Sequence, residues 1–254
     1  MFYGIIGQIA CWLRGEEQIC SIKRKDSILS MVELPDCITA EYYDSEMWER
    51  EMKKIRHNMF AAAAGFAMTV IFVVNLVISR DCNRLMVMLT GGGRLVDLMG
   101  ASAPAVFKSR QIFRLITYGY LHPAIWHLAA NVFALRCIGA YMQKTIGTVR
   151  LIVVYHFGLI AAGAAFLLLF PKGIMYGASP AIYCCLGMMA MWILRDRSLS
   201  ENVRNLRGSR YLLWYLILAN FLGLATFAVH VLGFITGLLL GLIVHPGKFT
   251  EKGE

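Results

Sequence analysis

Residues 59–79 read MFAAAAGFAMTVIFVVNLVIS, an almost continuous apolar run that is interrupted at Asn75. A second run, residues 151–170, is relieved only by His156. Each run has the roughly 20 residues that an α-helix needs to cross about 30 Å of hydrocarbon. The sequence therefore predicts an all-α membrane protein, and a composition of 58% hydrophobic against 16% charged residues fits that class.

Four further apolar stretches complete a predicted bundle of six transmembrane helices, at residues 123–142, 180–194, 211–226 and 229–244. The predicted organisation is a small cytosolic N-terminal region at 1–57, a six-span membrane domain at 58–245 and a cytosolic tail at 246–254. The long first loop, 80–121, contains apolar pieces too short to span. Such pieces favour a segment that lies in the membrane interface.

The net charge of +9 predicts topology rather than nucleic-acid binding. If six spans alternate, most Lys and Arg residues outside the long first loop fall on one side of the membrane, and the positive-inside rule places that side and both termini in the cytosol. The largest such group is Arg195, Arg197, Arg204, Arg207 and Arg210. Residues 1–13 fit neither a signal nor a transit peptide, which favours a secretory-pathway or plasma membrane over a mitochondrial one.

The cysteines and histidines do not form a recognisable metal site. Seven cysteines are present, an odd number with no Cys-x-x-Cys pair, which favours neither a disulfide framework nor a cysteine metal site. His122 and His127 are five residues apart and lack the glutamate of an H-E-x-x-H zinc site. We therefore expect no metal and no cofactor.

Polar residues at three places in the predicted spans point to chemistry, because such residues are unfavourable at membrane depth. Ser179 starts the fourth span, and His230 starts the sixth. His122, His127 and Asn131 lie at the start of the second. With the amino terminus inside, spans two, four and six run in the same direction, so these groups are predicted to meet near the outer face.

Each position also has a structural interpretation. Ser179 followed by Pro180 fits a helix cap, because serine is a preferred cap and proline a preferred first helical residue. His230, Gly233 and Gly237 share one helical face, and small residues at this spacing let membrane helices pack closely. The same close packing could bring His230 within about 2.6–3.2 Å of a serine on a neighbouring helix.

The absence of acidic residues narrows the function classes. No Asp or Glu lies inside a predicted span. An intramembrane aspartyl protease needs two carboxylates, and a proton-coupled transporter usually carries an acidic relay. A Ser-His pair needs no carboxylate, so a serine protease acting inside the bilayer is the main hypothesis. A small transporter or channel lined by the polar clusters is the alternative.

The order and spacing of these residues resemble the motifs of rhomboid intramembrane serine proteases, over residues 58–245. The matching positions are His122, His127 and Asn131 of His-x4-His-x3-Asn, Gly177 and Ser179 of Gly-x-Ser-Gly, Tyr183 and Gly187 four and eight residues after the serine, and His230, Gly233 and Gly237 of Ala-His-x-x-Gly-x-x-x-Gly. The departures are Pro180 for the glycine after the serine, Val229 for alanine and Phe113 for the tryptophan before Arg114.

The resemblance implies a six-helix rhomboid bundle with a catalytic dyad, in which Ser179 is the nucleophile and His230 the base. By the same resemblance, the supporting and oxyanion-stabilising residues are His127, Asn131, Tyr183, Gly177 and His122, and the helix-packing residues are Gly187, Gly233 and Gly237. The implied partners are the lipid bilayer and single-pass membrane-protein substrates, cut near the outer or lumenal side. Pro180 motivates an alternative, a catalytically impaired rhomboid-like pseudoprotease that binds membrane-protein clients.

Overall fold

The computed structural model of the protein describes residues 59–79, 86, 88–89, 91–197, 199–200 and 209–246. The predicted cytosolic N-terminal region at 1–57 and all but the first residue of the predicted tail at 246–254 lie outside the described residues. Most of the described chain is helical, which confirms the predicted helical class.

The helices follow the apolar runs of the sequence. In the described part of the chain they are α1 (Met59–Ile78), α2 (Arg94–Met99), α3 (Arg114–Thr117), α4 (Ile125–Ile146), α5 (Thr148–Leu169), α6 (Ser179–Arg195), α7 (Ser209–Leu218) and α8 (Leu224–Ile243). A π-helix at Pro104–Lys108 and 3-10 turns at Tyr118–Tyr120 and Ala219–Leu222 lie between them. Every predicted span overlaps one of the longer helices.

The helices differ in how well they suit a membrane. Among the described residues, α1, α5 and α8 are long and apolar enough to cross one, by length and composition. Helix α6 and the segment Arg210–Leu222 are apolar but shorter, and α4 carries Arg136 and Lys144. Three membrane-span candidates are therefore established, and the count of six spans stays a prediction.

The last helix begins earlier than the predicted residue 229. Gly223 has a φ of 131°, in the region that favours glycine, and α8 starts directly after it at Leu224. The predicted fifth span, 211–226, runs past this break, because α7 ends in the 3-10 turn at Ala219–Leu222. His230 is consequently the seventh residue of α8 rather than the residue near its start that the sequence predicted.

A short antiparallel strand pair joins the first loop to the segment before α6. Strand β1 (Ala101–Ser102) pairs with β2 (Ile174–Met175), with Ala101 opposite Met175 and Ser102 opposite Ile174. The all-helical prediction missed this pair, because two-residue strands are too short to show the alternation that marks a strand. The pair fixes the approach of the chain toward Ser179.

Asn75, the polar interruption in the first apolar run, anchors the first loop. Its Nδ2 donates to the Gly92 carbonyl oxygen at 2.9 Å, and its Oδ1 accepts from the Leu95 backbone N–H at 3.0 Å. A side chain at Gly93 would overlap the Asn75 amide. The asparagine therefore satisfies the backbone of the glycine-rich turn where it meets the end of α1.

The core is centred on α6, and α8 packs along it through glycines. A methyl group at Gly237 would overlap the Cys184 carbonyl oxygen, and one at Gly187 would overlap the Phe234 carbonyl oxygen. Gly233 faces the Pro180 carbonyl oxygen in the same way. Because Gly233 and Gly237 meet Pro180 and Cys184 in the same order, the two helices run parallel with backbones in close contact.

Candidate active site

Ser179 is the first residue of α6, and it does not cap that helix. The cap position is Ala178, and no side-chain hydrogen bond caps the helix start. The capping interpretation of this serine is therefore wrong. Its side chain is almost buried, with 6% of its surface exposed.

His122 holds the loop that leads into Ser179. The Ala178 backbone N–H donates to His122 Nε2 at 3.3 Å, and His122 Nδ1 lies 3.4 Å from the Tyr120 carbonyl oxygen. Because Nε2 accepts this N–H, the ring is neutral and carries its proton on Nδ1. His122 therefore supports the loop that precedes Ser179.

His127 lies beside the same loop, and its ring nitrogens make no hydrogen bond in the described residues. A Cβ added to Gly177 would come within 2.6 Å of His127 Cε1 and 2.8 Å of Nε2, so the ring edge packs on the glycine backbone. Gly177 itself has a φ of 103°, a second reason for glycine at this position. Within the described residues, the His127 ring makes no hydrogen bond.

Asn131 lies one turn beyond His127 on α4, and its amide is engaged on both sides. Its Nδ2 donates to the His127 carbonyl oxygen at 2.9 Å, and its Oδ1 accepts from the Tyr215 hydroxyl at 3.0 Å. The side chain is 1% exposed. Asn131 is thus near the predicted site, and its clearest role in this structure is to tie α4 to α7.

The packing of α8 on α6 brings His230 against the first turns of α6, and no hydrogen bond joins its ring to Ser179 in the described residues. Gly233 faces Pro180. His230 precedes Gly233 by one turn of α8, and the loop before Ser179 precedes Pro180 by the same distance on α6. The His230 ring stacks on Tyr183, with centroids 4.1 Å apart and planes within 9°. Tyr183 is four residues after Ser179, on the same face of α6.

Sequence reasoning missed Asn220, which contacts the opposite edge of the same histidine. Its Oδ1 lies 2.9 Å from His230 Nδ1, and its Nδ2 donates to the Tyr183 hydroxyl at 3.1 Å. The available signal was an amide inside the apolar stretch 211–226. This amide matches none of the motif positions, so the resemblance did not point to it.

These residues form a site with the components of acyl transfer. They are a hydroxyl at a helix start, an imidazole stacked on Tyr183 in the same helix, and a second imidazole with no ring hydrogen bond in the described ranges. No group of three or more His, Cys, Asp or Glu residues that could hold a metal occurs in the described ranges. The arrangement suits nucleophilic attack assisted by a general base.

Comparison with protein families identifies the family of this chain. A family model described as "Rhomboid domain" matches residues 109–247, more than half of the chain and the whole region from α3 to the end of α8. This chain belongs to the rhomboid family. As a rhomboid protein with apolar membrane-span candidates, it is an integral membrane protein.

The rhomboid relatives carry names that state different activities. RHOMBOID-like protein 7 of Arabidopsis thaliana is 30% identical over 167 residues, which are 63% of this chain and 52% of the relative. Rhomboid-like protease 3 of Toxoplasma gondii is 27% identical over 124 residues, 49% of this chain and 44% of the relative. Inactive RHOMBOID-like protein 8 of Arabidopsis thaliana is 32% identical over 89 residues, 35% of this chain and 25% of the relative. The chain spans about half the length of the first of these relatives. The family thus supports either an intramembrane protease or a pseudoprotease.

The departures of this rhomboid protein from the motifs fit the fold without distortion. Pro180 is the second residue of α6, where a missing N–H removes no intrahelical hydrogen bond. Phe113 is 55% exposed, so the replaced tryptophan leaves no cavity in the core. Arg114 is retained, and its Nη1 donates to the Gly100 carbonyl oxygen at 2.7 Å.

Proposed function

We propose that this rhomboid protein is an intramembrane serine endopeptidase that cuts transmembrane helices of membrane-protein substrates through a Ser179–His230 dyad. The observation that carries the proposal is the parallel packing of α8 on α6, in which Gly233 faces Pro180 and the His230 ring stacks on Tyr183. This packing supports a close approach of His230 to Ser179, at the end of the bundle where both helices start.

The proposed reaction begins when Ser179 Oγ attacks the scissile carbonyl carbon. His230 Nε2 takes the hydroxyl proton as the C–O bond forms, and the carbonyl oxygen becomes an oxyanion. Collapse of the tetrahedral intermediate breaks the C–N bond, and His230 returns the proton to the leaving amine. Water then repeats the sequence on the acyl-enzyme and releases the carboxylic acid product, which restores Ser179.

Oxyanion stabilisation is assigned first to His127 and to the Ser179 backbone N–H. His127 is supported by its contact with Gly177 and by the absence of a committed ring hydrogen bond among the described residues. Asn131 can contribute only the Nδ2 hydrogen that does not bond the His127 carbonyl oxygen. Pro180 has no backbone N–H, so the site has one backbone donor fewer than it would have with glycine at this position.

The membrane arrangement follows from the same helices. We propose six spans with both termini cytosolic, which places the starts of α4, α6 and α8 near the outer or lumenal side. The substrates are single-pass proteins whose helices are weakened near that side, because an extended scissile segment must enter the site. The choice of a secretory-pathway or plasma membrane over a mitochondrial one stays a prediction.

The test is cleavage in a bilayer by the full chain. Wild type, Ser179→Ala and His230→Ala are reconstituted into vesicles with a model single-pass substrate that carries a Gly-Pro pair near one end of its helix. Wild type is expected to release a discrete fragment, and each variant to lose cleavage by at least about 1000-fold. Equal cleavage by wild type and Ser179→Ala would reject the dyad.

The second candidate function is a pseudoprotease that binds membrane-protein clients. Pro180 beside the nucleophile and the existence of a relative named inactive favour it. Under this alternative, wild type and Ser179→Ala would bind a single-pass client equally and neither would cut it. Co-purification of an intact client, measured beside the cleavage assay, separates the two functions.

A further inference from the structure

A side-chain amide holds the Nδ1 edge of His230. Asn220 lies in the 3-10 turn Ala219–Leu222 between α7 and α8. Its Oδ1 is 2.9 Å from His230 Nδ1. Its Nδ2 donates to the Tyr183 hydroxyl and to the Leu216 carbonyl oxygen. One short turn thus contacts both rings of the stacked Tyr183–His230 pair.

The surrounding acceptors fix which end of the amide meets the histidine. The Leu216 carbonyl oxygen can only accept a hydrogen bond, so the amide atom beside it must be Nδ2. Oδ1 therefore faces His230, and Nδ1 must carry the proton that it accepts. In the neutral ring, Nε2 then holds the lone pair.

The Tyr183 hydroxyl closes the network without conflict. It donates to the Leu216 carbonyl oxygen at 3.1 Å and accepts from Asn220 Nδ2. Every donor in this network therefore has an acceptor. Turning the amide over would set its NH2 group toward the His230 edge and its oxygen toward the Leu216 carbonyl oxygen. A fully satisfied network of this kind holds its members in one orientation.

We propose that Asn220 is a positioning residue for the reaction and completes a Ser179–His230–Asn220 triad. It selects the histidine tautomer whose Nε2 can accept the Ser179 proton, and it holds the ring against Tyr183. This inference rests on the proposed protease function. The acid of a Ser-His-Asp triad performs the same two tasks and also stabilises the imidazolium by its charge. A neutral amide provides only the first two.

Kinetics of three variants test the role. Asn220→Leu removes all three hydrogen bonds of the amide and keeps its branched shape. Asn220→Asp keeps the oxygen that faces His230, and Tyr183→Phe removes one bond but keeps the stacked ring. Asn220→Leu is expected to lower kcat about 10- to 100-fold with KM changed less than about twofold, because the group acts through the histidine rather than on the substrate. Asn220→Asp and Tyr183→Phe are each expected to lower kcat less than Asn220→Leu does, because each keeps an acceptor beside His230 Nδ1.

Nitrogen NMR of full-length protein labelled with ¹⁵N-histidine supplies a readout that does not need activity. His230 signals are assigned by their loss in His230→Gln. Wild type and Asn220→Asp are expected to show a protonated Nδ1 and an unprotonated Nε2 at His230. Asn220→Leu is expected to shift the proton toward Nε2, while the other histidine signals keep their positions as a check on folding.

The outcomes distinguish a failure of the positioning role from a failure of the proposed protease function. Unchanged His230 signals together with unchanged kcat in Asn220→Leu would overturn the positioning role, while Ser179-dependent cleavage by wild type stood. An Nδ1–H signal that depends on Asn220 in a wild type that cuts nothing would reject the protease function and leave the positioning of His230 in place.

Discussion

The polar side chains around Ser179 differ in how much of their hydrogen-bonding capacity is already used. His122 accepts the Ala178 N–H, and both amide atoms of Asn131 bond to other residues. His127 packs on Gly177 with no ring hydrogen bond in the described ranges. Of these three residues, two are therefore held by hydrogen bonds, and the ring of the third is without one in the described ranges.

This division predicts different effects for two matched histidine variants. His127→Ala removes an oxyanion donor and is expected to lower kcat about 100- to 1000-fold with little change in stability. His122→Ala leaves the buried Ala178 N–H without its acceptor and is expected to lower the free energy of unfolding by about 1–3 kcal/mol. Steady-state cleavage and thermal unfolding in detergent measure the two effects. Loss of stability in His127→Ala with kcat unchanged would contradict the assignment.

Pro180 gives a second prediction at the residue scale. Its position in the first turn of α6 removes no helical hydrogen bond, so the wild type is expected to be active as it stands. Pro180→Gly is expected to change kcat less than about tenfold and to lower the free energy of unfolding by about 0.4–1 kcal/mol through the unfolded chain. An inactive wild type that gains cleavage in Pro180→Gly would favour the pseudoprotease.

At the scale of elements, the candidate site depends on the close packing of α6 and α8. Gly237→Ala is expected to push the helices apart, because its methyl group meets the backbone carbonyl of Cys184 rather than a movable side chain. We expect destabilisation of about 1–3 kcal/mol together with loss of cleavage. Activity and unfolding of this variant are measured side by side.

Gly65→Ala is the matched control. There the added methyl group meets Val132 Cγ1 at 3.2 Å, the end of a side chain that can shift, and alanine favours the helix by about 1 kcal/mol. Its stability and activity are expected to stay near wild type. Equal losses in both variants would mean that the packing of α8 on α6 has no special importance.

The elements also show how far the sequence can be interpreted. Long apolar runs identified the helices, because length and composition are local properties. The start of α8 was displaced because Gly223, with φ at 131°, marks a boundary that hydrophobicity does not register. The sequence did not predict the β1–β2 pair, because the pair joins residues far apart in the chain. It did not predict the hydrogen bond of Asn220 to His230, because the geometry of the turn between these residues is not evident from the sequence.

At the scale of the whole molecule, helix direction links the site to topology. Helices α6 and α8 run parallel, and the loop before α6 meets the start of α4 at Gly177 and His127. If α6 and α8 each cross the membrane in the same direction, an odd number of crossings separates them, and α7 with its 3-10 turn is the segment between. The six-span prediction gives each of these helices one crossing.

This topology predicts the location of both termini. Epitope tags at residue 1 and residue 254 are expected to resist protease added to intact cells and to be digested after digitonin opens the plasma membrane alone, because the positive residues flanking the spans remain cytosolic. A tag inserted between α5 and β2 is the control: it is expected to be digested in intact cells if the protein lies in the plasma membrane, and to resist protease until internal membranes are dissolved if it lies in a secretory-pathway membrane. Digestion of only one terminal tag in intact cells would imply an odd number of spans.

The central claim is that Ser179 is a nucleophile activated by His230. The most direct measurement is labelling of purified full-length protein in detergent with a fluorophosphonate probe, which reacts with an activated serine without any knowledge of the substrate. We predict covalent labelling of wild type and none of Ser179→Ala or His230→Ala. Absence of labelling in wild type, under conditions where a known rhomboid protease reacts, would contradict the account and favour the client-binding pseudoprotease.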